Sequence, residues 1–124
     1  MVSSNSMDVV ISQSMSGDAL IIRVDGELDM YTAPNLKDAL KEAIDKGHRR
    51  VVVDLTRVGF LDSTSLGVLV AGLRRIRAEE GDLHLVLDQP NLSKMFRITG
   101  FDGVFRIHRT LDEALGNGSK GSEE

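Results

Sequence analysis

Val51-Val52-Val53-Asp54-Leu55, followed by Asp62-Ser63-Thr64-Ser65-Leu66-Gly67, reads as a strongly apolar strand that passes through a short connection into a helix. From Thr64 to about Glu80, Leu66, Leu69, Val70, Leu73 and Ile76 recur at helical spacing, and Gly81 is the expected stop. A strand handing on to an amphipathic helix is the repeating unit of an α/β sheet.

The same alternation extends in both directions. Met7 to Ser14 and Ala19 to Asp25 are strand-like runs on either side of Ser16-Gly17-Asp18, which predicts an N-terminal hairpin. Thr32 is placed to cap a helix reaching about Lys46, with Pro34 in its first turn and Gly47 after it. That helix buries Leu36, Ala39, Leu40, Ala43 and Ile44, and turns Lys37, Asp38, Lys41, Glu42 and Asp45 to water. Further on come a strand at Leu83 to Leu87, a helix from Asn91 to about Thr99 stopped by Gly100, and a strand at Val104 to Ile107. Thr110-Leu111-Asp112-Glu113 matches a capping box opening a final short helix to Leu115.

Alternating strands and helices imply parallel strands joined by right-handed crossovers, with the first strand antiparallel at the hairpin. In Leu83-His84-Leu85-Val86-Leu87 and Leu20-Ile21-Ile22-Arg23-Val24 a polar residue interrupts one face, whereas a sheet buried on both faces would be more uniformly apolar. The expected architecture is a two-layer α/β domain with helices mainly on one face. The domain is expected over residues 7–115, between flexible tails at residues 1–6 and 116–124 that are polar and Gly/Ser-rich.

The chain has 124 residues, no cysteine and a net charge of −4. This length supports one hydrophobic core, and the lack of cysteine removes disulfides, thiol nucleophiles and thiolate metal sites. An acidic balance argues against direct nucleic-acid binding, which needs a basic face. The arginines of Arg74-Arg75-Ile76-Arg77 fall at a helix end, where cations offset the dipole. There is no signal-peptide pattern and no apolar run of membrane-spanning length, so the expected location is cytoplasmic, without membrane attachment.

No catalytic constellation emerges. His48, His84 and His108 lack metal-ligand or nucleophile-elbow spacing and read as surface or strand-face residues. Gly67-Val68-Leu69-Val70-Ala71-Gly72 lies within a helix and lacks the Lys-Ser/Thr of a phosphate-binding loop. Asp25, Glu27, Asp29, Asp54 and Asp62 are carboxylates without a complementary group for acid/base or Mg²⁺ chemistry. The expectation is a binding protein with no cofactor and no metal.

Ser63, Thr64 and Ser65 lie where a helix begins, and hydroxyls there accept the first unpaired N–H groups, which together with the dipole also accommodate an anion. Phosphorylation would add about −1.5 to −2 charges at a place the fold tolerates. Asp62 is suited either to orient the Ser63 hydroxyl or to complement the helix dipole. Asp29, Tyr31 and Thr32 follow a strand expected beside this turn and complete a docking surface, although Thr32 also suits a cap. Gly67 and Ala71, one turn apart, permit close approach of a neighbouring helix or of a partner. Met95 and Phe96 are expected in the core.

Three segments in order, Gly26-Glu27-Leu28-Asp29-Met30-Tyr31-Thr32-Ala33-Pro34, Val53-Asp54-Leu55 with Phe60-Leu61-Asp62-Ser63-Thr64-Ser65-Leu66-Gly67-Val68-Leu69, and Phe96-Arg97-Ile98-Thr99-Gly100-Phe101, resemble the STAS domain of bacterial anti-sigma factor antagonists. The likeness runs from about Asp8 to Leu115, and its detail is similar to antagonists from high-GC Gram-positive bacteria. It implies a partner switch. In that family the unphosphorylated antagonist binds an anti-sigma factor that is also a serine kinase and so releases a sigma factor. Phosphorylation of the hydroxyl after the motif aspartate, here Ser63, breaks the complex, and a PP2C-type phosphatase restores it. The resemblance implies partner contacts at Asp29, Tyr31, Thr32, Asp62, Ser63, Thr64, Ser65 and Leu66. This chain departs from the family in having Ser65 where Gly is common, which leaves Ser63, Thr64 and Ser65 all as acceptors to be distinguished. An alternative reading is a STAS interaction module of a larger signalling assembly without direct sigma control.

Overall fold

The computed structural model describes residues 9–116, so the expected tails, apart from Gly116, lie outside the described residues, as do Met7 and Asp8 of the first expected strand. The elements are β1 (Val9–Ser16), β2 (Ala19–Leu28), α1 (Ala33–Asp45), β3 (Arg50–Leu61), α2 (Ser63–Ala78), β4 (Asp82–Val86), α3 (Pro90–Thr99), β5 (Arg106–His108) and α4 (Leu111–Ala114). They form a five-stranded sheet in the order β1-β2-β3-β4-β5, antiparallel between β1 and β2 and parallel elsewhere. Because the order never reverses, each right-handed crossover steps the same way across the sheet. That puts α1, α2 and α3 on one face, as the polar interruptions in the strands imply.

The main core lies between that face and the three helices. Ile22, Val24, Val53, Leu55, Leu83 and Leu85 meet Leu36 and Leu40 of α1, Leu69, Leu73 and Ile76 of α2, and Leu92 and Phe96 of α3. On the opposite face a small second cluster of Ile21, Val52, Val86 and Ala114, flanked by Leu111 and Leu115, seats α4. Beside it Asp54, only 4% exposed, pairs with Arg23 (Oδ2 to Nε 3.2 Å) and accepts from the Thr56 N–H and hydroxyl. Arg23 and Asp54 therefore sit on the open face.

Several boundaries differ from the sequence expectation for physical reasons. β3 continues past Leu55 to Leu61, because Val58 and Leu61 are buried and β2 pairs with the strand as far as Leu28↔Leu61. β4 stops pairing at Asp54, and beyond it Gln89 Nε2 donates to the carbonyls of Leu55 and Val58 while Asn91 Nδ2 donates to that of Gly59. β5 begins at Arg106 rather than Val104, since Phe101–Gly103 forms a 3-10 turn. α2 ends at Ala78, and the left-handed residue after it is Glu80 (φ +67°), not Gly81. Gly81 is needed for a different reason: a Cβ there would lie 2.4 Å from the Arg49 carbonyl oxygen. Likewise the close approach of α1 and α2 rests on Gly72, whose added Cβ would sit 3.0 Å from Leu40 Cδ1, and not on Gly67, whose added Cβ would meet nothing, while Ala71 is exposed. The final capping box forms in modified form. Thr110 Oγ1 accepts from Glu113 N–H, while the Glu113 carboxylate accepts from Arg109 N–H rather than from Thr110.

Candidate functional site

The turn between β3 and α2 is fixed from both sides. Asp62 N–H donates to the Leu28 carbonyl (3.1 Å), tying the turn to the end of β2. The Asp62 carboxylate accepts from Ser65 N–H (2.9 Å), so Asp62 caps α2 and no serine or threonine hydroxyl does. Ser63 occupies the first helical position with its side chain exposed, and Thr64 beside it is also exposed. Ser65 faces inward at 0% exposure, its Oγ without a hydrogen-bond partner among the described residues. A kinase cannot reach Ser65 without opening the first turn, which leaves Ser63 and Thr64 as accessible hydroxyls.

The neighbouring β2–α1 loop is organised by Asp29. Its Oδ1 accepts from the N–H groups of Tyr31 (2.9 Å) and Thr32 (3.0 Å), and its carbonyl accepts from Ala33 N–H (2.8 Å). Thr32 does not cap α1 through its hydroxyl. Instead Oγ1 donates to the Glu27 carbonyl (2.8 Å) and accepts from Asp29 N–H (2.9 Å), closing the loop on itself. The short polar side chain of Asp29 competes well for loop N–H groups, and that local competition displaced the expected cap.

These two loops place Tyr31, Ser63 and Thr64 on the surface, with Asp29 and Asp62 half-buried. Thr32, Ser65 and Leu66, expected at the contact surface, are at most 5% exposed and support that surface from beneath. Two residues that sequence reasoning missed belong to the same end of the sheet. Met30 (62% exposed) precedes Tyr31 (80%), and Phe60 (47%) pairs with Glu27 just before the turn. These exposed apolar side chains lie on the two segments that lead to the Asp29 loop and the Asp62 turn. The sequence signal available was Phe60 and Met30 falling outside every core pattern.

The acidic residues do not gather. Asp54 is held by Arg23 and Thr56, Asp29 and Asp62 by backbone N–H groups, and Asp25 lies 3.9 Å from Arg57. Among the described residues no group of three or more His, Cys, Asp or Glu is arranged to hold a metal.

Two histidines do meet. Pairing of Val86 with His108 brings His84 Nδ1 to 3.0 Å from His108 Nε2 on the open face, so one nitrogen donates and the other accepts. Burial, reinforced by His108, Arg106 and Arg50 and opposed by Asp82, pushes the His84 pKa below 6.5. Burial with Arg106, opposed by Glu113, does the same for His108. The unfolded chain then takes up protons first, so stability is full above about pH 7 and falls as pH drops through about 6.5 towards the folded values. Asp45, through Arg75 and Lys41, and Asp82, whose hydrogen bonds from Leu83 and Arg77 outweigh burial, are shifted downward from 3.8 and act only at lower pH. The melting temperature is therefore expected to decline as pH falls from about 7 through 6.5. His84→Gln should flatten that decline when followed by circular dichroism, and an unchanged slope would remove the pair as its source.

An antiparallel hairpin followed by parallel strands in unbroken order, with the helices α1 to α3 on one face and an exposed hydroxyl turn between β3 and α2, defines a small two-layer α/β module. The chain belongs to the STAS domain family, whose model matches residues 8–114. It is 37% identical over 100 residues to the anti-sigma-B factor antagonist of Listeria monocytogenes, covering 81% of this chain and 88% of that protein. The crystal structure of an anti-sigma factor antagonist from Mycobacterium paratuberculosis superposes with a TM-score of 0.82 at 30% identity, covering 87% of this chain and 92% of the other. The Bacillus cell fate determinant SpoIIAA in its phosphorylated form superposes at 0.69, with 25% identity and coverage of 86% and 97%. No helix among the described residues is long and apolar enough to cross a membrane.

Proposed function

We propose that this protein is an anti-sigma factor antagonist that acts by binding and not by catalysis. Unphosphorylated, it engages an anti-sigma factor that is also a serine kinase, and a sigma factor is released. Phosphorylation of Ser63 dissociates the complex, and a PP2C-type phosphatase restores it. The proposed place of action is the cytoplasm.

The observation that carries this reading is the exposure of Ser63 beside Asp62, which already caps the helix, within the Met30, Tyr31 and Phe60 surface. With the cap supplied by Asp62, the Ser63 hydroxyl is not needed for folding. A phosphate there lies at the positive end of the α2 dipole, so the fold accepts it while an apposed partner does not. The antagonist names of the relatives and the phosphorylated form of SpoIIAA support the same reading.

The test is incubation with the cognate anti-sigma kinase and ATP, followed by fragmentation mass spectrometry. One phosphate on Ser63 is expected, and none with ATP alone. Phosphate on Thr64 would move the acceptor by one residue, and incorporation without the kinase would favour a phosphotransferase.

A further inference from the structure

A groove of about 450 Å³ lies between α1 and α2, its apolar lining including Leu40, Ile44, Val68 and Ala71, and Thr64, the residue after Ser63, also lines it. Its charged lining residues are all cations: Lys37, Lys41 and Arg75. Lys41 and Arg75 both pair with Asp45, whereas Lys37 has no ion-pair partner among the described residues, so the rim keeps a positive excess. Gly67 lies in the wall, exposed, and a Cβ added to it would meet nothing. Glycine inside a helix is unfavourable relative to alanine, and here no contact within the fold offsets that. Gly72 has such a contact in Leu40; Gly67 does not.

From these observations we infer that the α1–α2 groove receives an amphipathic, acid-flanked segment of the protein partner, with apolar side chains between the helices and carboxylates at Lys37, Lys41 and Arg75. This inference rests on the antagonist reading and extends its docking surface from the Ser63 turn along α2. Charge complementarity selects the occupant, since an acidic flank is attracted by the rim and a basic one is repelled. An apolar groove between two helices suits a helix of the partner, and the missing side chain at Gly67 lets its backbone come close.

The experiment measures affinity for the host's anti-sigma kinase by calorimetry, with melting temperature alongside, for the full chain and for Gly67→Leu, Lys37→Glu and Ser63→Asp. Leucine at position 67 should raise the melting temperature through helix propensity yet weaken binding by about tenfold or more, a pairing of signs that a purely structural role does not produce. Lys37→Glu should weaken binding at unchanged stability. If both groove variants bind like the wild type while Ser63→Asp loses the partner, the groove inference is overturned and the antagonist reading stands. If Ser63→Asp also binds like the wild type, the reading beneath it fails. If the groove variants alter only self-association in sedimentation, a second copy of the chain occupies the groove and the inference is wrong.

Discussion

Ser63→Asp is expected to weaken binding to the anti-sigma partner by roughly a hundredfold, about 2.7 kcal/mol, while the melting temperature stays within a few degrees of wild type. The two halves have separate causes. A carboxylate at the first position of α2 adds charge to an exposed surface next to the Asp62 carboxylate, and a partner that desolvates this surface must bury or repel it. The fold meets the same charge at a helix N-terminus, where an acidic side chain contributes roughly 0.3 to 1 kcal/mol of stabilisation. Ser63→Ala should bind as tightly as wild type. It should also change stability by less than about 0.5 kcal/mol, because the cap belongs to Asp62. Calorimetric titration and thermal melts of the three proteins check both halves. Equal affinity of wild type and Ser63→Asp would falsify the electrostatic switch.

The division between what could be read from the chain and what could not follows from the range of the interactions. The apolar stripe of α1, the alternation of the strands and the stop at Gly100 (φ +80°) are local patterns, and each appears in the structure near its expected place. The end of β3 is not local. Its carbonyls at Leu55, Val58 and Gly59 accept from Gln89 and Asn91, more than thirty residues away, so the chain around Thr56 resembled a loop. Thr32 does stand at the N-cap position of α1, but its hydroxyl bonds within the loop, and at α2 the capping side chain is Asp62 rather than a hydroxyl; short polar side chains at neighbouring positions are similarly able to bond these N–H groups, and only backbone direction chooses between them. The small residues of α2 divided for a similar reason: contact with Leu40 selects Gly72, and sequence spacing alone pointed at Gly67 and Ala71. The His84–His108 contact depends on the register of β4 with β5, which alternation does not specify.

Tyr31→Ala and Phe60→Ala are each expected to weaken anti-sigma binding by about 2 kcal/mol, close to thirtyfold, which is the behaviour of aromatic anchors at the centre of an interface. Tyr31 is 80% exposed, so truncating it removes little buried area and the fold should not notice. Phe60 is 47% exposed and retains contact with the sheet, so its variant should lose a small amount of stability as well. Asp29→Lys is a poorer probe of this surface. Asp29 holds the N–H groups of Tyr31 and Thr32, and reversing its charge would unmake the loop that presents Tyr31. Its effect on binding would therefore combine lost charge with lost geometry. Glu42→Lys is the control, being an exposed change on the outer side of α1 whose effect on stability should stay under about 0.5 kcal/mol. Affinities are compared only for proteins with native circular dichroism spectra. Loss of binding in Glu42→Lys, with Tyr31→Ala and Phe60→Ala both unaffected, would move the docking surface to the outer face of α1 and away from the aromatic residues beside Ser63.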